Sequence, residues 1–102
     1  MSYKNPLLDK EASDQYAFMV LKVMLEMFPD CDCKIEWRRH SVGRYWLVIL
    51  TADCGVPDIS SVTFGIPDRV RLSFQQEVEF REWFMGQTAH ALQQLKTAMG
   101  RK

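Results

Sequence analysis

The chain has 102 residues, which fits one domain spanning 1–102. Apolar residues make up 47% and charged residues 25%, so the composition is that of an ordinary globular chain and not a disordered one. Thirteen basic and thirteen acidic side chains cancel, which argues against a dedicated nucleic-acid binder and against an acidic nucleic-acid mimic.

The N-terminal stretch "MSYKNPLLDKEASDQ" is polar and carries no leader pattern. Residues 16–28 are apolar but are interrupted by Lys22 and Glu26 and are too short to span a bilayer. The expectation is a cytoplasmic protein with no membrane partner. An odd number of cysteines agrees with a reducing compartment.

The first predicted element is a helix ended by Pro29. It starts with Asn5 as cap and Pro6 at the first helical position, or later at Asp9 or Ser13. One apolar stripe is Ala12, Tyr16, Met19, Val20, Val23 and Met27. A second is Ala17, Leu21, Met24, Leu25 and Phe28. Such a helix is expected to be central or buried in an interface.

Residues 34–41 and 44–51 read as two strands of a hairpin around Val42-Gly43. The loop length sets a register in which partner numbers sum to about 85. Ile35, Trp37 and Arg39 then oppose Leu50, Val48 and Trp46 on the face expected to be core. Past the strand ends, Cys31 opposes Cys54 and Cys33 opposes Ala52. Residues 53–61 read as a loop. Short strands are expected near 62–66 and 69–74, joined at Pro67-Asp68, with Gly55–Asp58 and Gly65–Asp68 as two X-Pro turns.

The last third, 75–99, reads as one helix, or as two short helices broken at Gly86 with Thr88 as a cap. Its expected core stripe is Val78, Met85, Leu92 and Met99, widened by Phe84, Ala91, Leu95 and Ala98. The fold class is α+β: an N-terminal helix, an antiparallel sheet of two to four strands and a C-terminal helical segment, with the helices on one face of the sheet.

Several residue groups could carry chemistry. Cys31, Cys33, His40 and Cys54 are zinc-ligand types, but C-x-C is not the usual paired spacing, and the register puts His40 on the other face. No metal and no cofactor is expected. A Cys31–Cys54 disulfide is geometrically conceivable, and free thiols in an apolar setting are the preferred reading. No phosphate loop and no Ser-His-Asp spacing occurs, so no catalytic residue is assigned.

Two regions suit a partner. Arg38, Arg39, Arg44 and Trp46 cluster near the hairpin tip, where cations and aromatic rings fit phosphate contact with base stacking. Phe80 and Trp83 neighbour each other on the last helix, away from the expected stripe. They serve an interface there, or they are core if that helix has apolar neighbours on both sides. The expected function is a non-enzymatic protein–protein interaction domain. It would be a small adaptor or inhibitor, a class that includes accessory and anti-host factors of phages and other mobile elements. Its partner would be a second copy or a larger host protein. The alternative is a small nucleic-acid-binding protein using the basic aromatic hairpin 34–46.

Overall fold

The structure is a computed structural model and describes residues 10–40, 42, 45–55, 57–67 and 77–100. Helix α1 covers Lys10–Met27, strands β1, β2 and β3 cover Asp32–Arg39, Tyr45–Asp53 and Ile59–Pro67, and helix α2 covers Glu77–Ala98. The sheet is antiparallel, in the order β1-β2-β3. Both helices lie on one face, α1 mainly over β1 and α2 mainly over β3. The fold is α+β, as the sequence predicts.

The β1–β2 register agrees with the expected one residue for residue. Ile35 opposes Leu50, Trp37 opposes Val48 and Arg39 opposes Trp46. Their face is the core face, and Val48, Leu50 and Ala52 are fully buried there. The turn into β1 is compact. Phe28 accepts from the Cys31 N–H at 3.1 Å, with Pro29 at the position where its fixed φ suits such a turn.

β3 begins at Ile59, inside the stretch expected to be loop. The connection from β2 is tighter than its Gly, Pro and Asp content suggests. The Gly55 N–H donates to the Asp53 carboxylate at 3.0 Å, and Gly55 takes a φ of +98°. A left-handed residue at that point lets Cys54 and Asp58 bond across the turn at 2.9 Å. Gly65, Ile66 and Pro67 belong to β3, so the second expected X-Pro turn is a strand end instead. The candidate strand 69–74 lies outside the described residues.

α2 is continuous through Gly86, so the single-helix alternative holds. Thr88 does not cap a new segment. Its hydroxyl donates back to the Phe84 carbonyl at 2.9 Å, one turn earlier. The helix closes where Met99 bonds to Leu95, and Gly100 follows at φ +70°.

The buried line of α2 is Phe80, Phe84, Thr88, Ala91 and Leu95, with Leu92 beside it. Phe84, Ala91, Leu92 and Leu95 are buried as expected, and Met85 and Met99 pack against the core, but Val78 and Ala98 are exposed and Phe80 and Thr88 take the buried positions instead. The heptad line 78-85-92-99 drifts around a straight helix, whereas 80-84-88-91-95 keeps to 3.6 residues per turn. Val78 lies about 200° from Phe80 at that spacing and is 49% exposed. Phe84 is the hub of the core. Its ring lies 5.1 Å from Tyr16, 5.6 Å from Trp37 and 5.7 Å from Phe64, bringing α1, β1 and β3 together.

α1 is less enclosed than its composition predicts. Ala12, Tyr16, Val20 and Met24 are buried on one line. The second expected stripe splits: Phe28 is buried, while Leu25 is 51% exposed. Phe18, which belongs to neither stripe, is 70% exposed. No helix among the described residues is long and apolar enough to cross a membrane.

Candidate partner-binding surfaces

The basic hairpin tip divides between the two faces of the sheet, because successive strand residues point to opposite sides. Arg38 is on the outer face, where its guanidinium pairs with Glu36 at 3.0 Å. Arg39 is on the core face, its guanidinium 5.8 Å from the centroid of the half-buried Trp46 ring. His40 returns to the outer face and stacks on Tyr45 at 4.5 Å. Arg44 lies outside the described residues. Among the described residues the tip cations therefore do not converge on one surface, and Arg38 and Arg39 each have a local partner.

Phe80 is corrected from surface to core. It is fully buried, with its ring 5.8 Å from Tyr16 and 6.1 Å from Phe84. The reason is that α2 packs against α1 as well as β3, so it has apolar neighbours on two sides. Trp83 is half-buried against Phe80 at 6.0 Å, at the border of the same cluster.

The thiols also depart from expectation. Cys31 and Cys54 form a disulfide, and Cys33 is the free thiol. The register explains this. Continuing one step beyond the Asp32–Asp53 pair places Cys31 opposite Cys54, with Cα atoms 4.2 Å apart. Asp30, Cys31 and Cys54 form the one grouping of potential metal-ligating atoms among the described residues, and the disulfide takes two of the three. Burial, and secondly the Asp32 carboxylate, push the Cys33 thiol pKa up, so it is a poor nucleophile near neutrality.

One surface was not singled out from the sequence. Tyr45, Leu47, Ile49 and Thr51 occupy the outer face of β2, the central strand, and remain only half-buried. They are separate from the hydrophobic core cluster. Beside them on β1 are Lys34, Glu36 and Arg38, and on β3 Ser61, Thr63 and Gly65. The Tyr45 ring lies over Gly65, 3.6 Å from where a Cβ would stand, an ordinary van der Waals distance. The result is an apolar strip with a charged border on one side and a small, uncharged border on the other. The signal was present in "RYWLVILT", which is apolar on both faces.

A strand apolar on both faces is the pattern of one covered on both sides. Here the helices cover only one. No protein-family model matches this chain, and neither a curated protein nor a solved structure is found to be similar to it.

Proposed function

We propose that this domain acts without catalysis, by binding a protein partner over the outer face of its sheet. The observation that carries this reading is the half-buried apolar strip Tyr45, Leu47 and Ile49 on the outer face of a central strand. Covering such a strip removes apolar area from water at about 25 cal/mol per Å². The charged border of Lys34, Glu36 and Arg38 would form part of a polar rim and select among partners. A larger protein that this domain adapts or inhibits fits that geometry.

Less supports the nucleic-acid alternative. Arg38 is paired with Glu36 and Arg39 stacks on Trp46 on the opposite face, so neither is arranged to track a phosphate backbone. The cytoplasmic assignment is also pulled against by the disulfide, since such bonds persist mainly in oxidising compartments. Counting reactive thiols in freshly trapped, denatured protein decides it: one per chain means the bond exists in the cell, three that it does not.

The test of the binding reading is capture from the source cell with the wild-type chain and with Ile49→Lys. The wild type should retain a protein that Ile49→Lys loses, with both variants equally folded. Equal retention by both would remove the outer face from the interaction.

A further inference from the structure

We infer that β3 pairs edge to edge with β3 of a second copy, making a continuous six-stranded sheet about a two-fold axis. The inference extends the reading of this chain as a binding domain, but it uses a different surface. The two edges of the sheet differ sharply in chemistry. β1, "DCKIEWRR", carries five charged residues among its eight. β3, "ISSVTFGIP", carries none among its nine. Proteins guard exposed strand edges with charges, because the unpaired N–H and C=O groups of a bare edge are a template for another strand. β1 is guarded by charge along its length, whereas β3 carries no charge and has a proline only at its last position, Pro67.

Among the described residues, nothing pairs with the far side of β3. Its core-facing Val62 and Phe64 are only partly buried, although both pack against the core. A strand added beside β3 would cover them. A second copy supplies one that fits. Antiparallel pairing centred on Thr63 sets Val62 against Phe64 and Ser60 against Ile66 on the core face. On the outer face it sets Thr63 against Thr63 and Ser61 against Gly65. No like charges meet in this pairing, whereas β1 paired with itself would crowd lysine, arginine and carboxylate groups. Cross-strand threonine pairs and aromatic pairs with β-branched residues are favourable.

A two-fold axis normal to the sheet would also keep both outer strips on the same side, giving a partner two copies of the apolar surface.

The experiment is sedimentation equilibrium of the wild type, Thr63→Lys and Thr63→Glu, alone and mixed. Thr63 is exposed, so both variants should fold, and circular dichroism checks that they do. The wild type should dimerise. Each variant alone should need at least tenfold higher concentration to do so, because its two new charges meet at the axis. An equimolar mixture of the two should recover dimer as the mixed species. A monomeric wild type would overturn the inference, as it would if residues 69–74 cover the edge themselves. So would a dimer indifferent to both substitutions. Ile49→Lys should leave the dimer intact, so loss of this inference and loss of the outer-face reading are separate results.

Discussion

The two faces of β2 carry nearly the same kind of residue and meet opposite fates. Trp46, Val48, Leu50 and Ala52 lie under the helices, and the last three are fully buried. Tyr45, Leu47, Ile49 and Thr51 point the other way and stay half-exposed. The strand has one composition, so burial here is decided by what the helices cover and not by β2 itself. Apolar character inside is explained by folding, while the same character outside asks for another molecule.

The sharpest way to break this contrast is one truncation made on each face. Leu50→Ala should destabilise the domain by about 2–5 kcal/mol in urea unfolding. Leu47→Ala should cost about 1 kcal/mol or less, since it opens no cavity. Equal losses would mean that the outer face is covered within the chain.

The disulfide comes next. It closes a sequence separation of 23 at the base of the hairpin. Cys54→Ser should lower stability by about 3 kcal/mol, and a reducing agent should lower the melting temperature of the wild type but not of the variant. An unchanged melting temperature on reduction would show that the bond does not form in solution.

A smaller effect, of opposite sign, is expected on α2. Gly86 is exposed in mid-helix, and a Cβ added there meets nothing within 4 Å. Gly86→Ala should raise stability by about 1 kcal/mol. Failure to do so would point to a cover on the solvent side of α2 as well. The smallest change is expected at the hairpin tip. Arg39→Gln removes the cation from the Trp46 ring and should cost about 0.5–1 kcal/mol, with little effect on partner capture.

The parts of the fold that were legible in the sequence are those set by short-range geometry. Period two and a short loop determine the β1–β2 register, and with it the inward face of Ile35 and Trp37. Pro29 marks the end of α1. The parts misread depend on what packs where. On α2, Phe84, Ala91, Leu92 and Leu95 are legible as core, but a seven-residue repeat is the seam of a supercoiled pair and carries the stripe out to the exposed Val78. A single helix over a sheet follows 3.6 instead, and Phe80 moves from surface to core. The start of β3 was hidden because Gly55, Pro57 and Asp58 suggest a longer loop than the five-residue reversal that forms. The thiols were read by compartment, although the register already placed Cys31 opposite Cys54. Of the candidate site, the arginines and aromatics of the tip were visible as types, but their alternation between faces dissolves the cluster. The outer strip of β2 was visible as a doubly apolar strand, and only the one-sided arrangement of the helices makes it a surface.

The Cys31–Cys54 bond also has a mechanical consequence. A chain pulled from its two ends must break that bond before the hairpin can contribute to its extension. The 23 steps between the two cysteines correspond to about 80 Å of extended chain. Under force the oxidised protein should therefore come up short by roughly that length, less the width of the closed bridge, and reductant should release it. The hairpin that bears the half-buried outer strip is thus the segment of the chain best shielded from being drawn out.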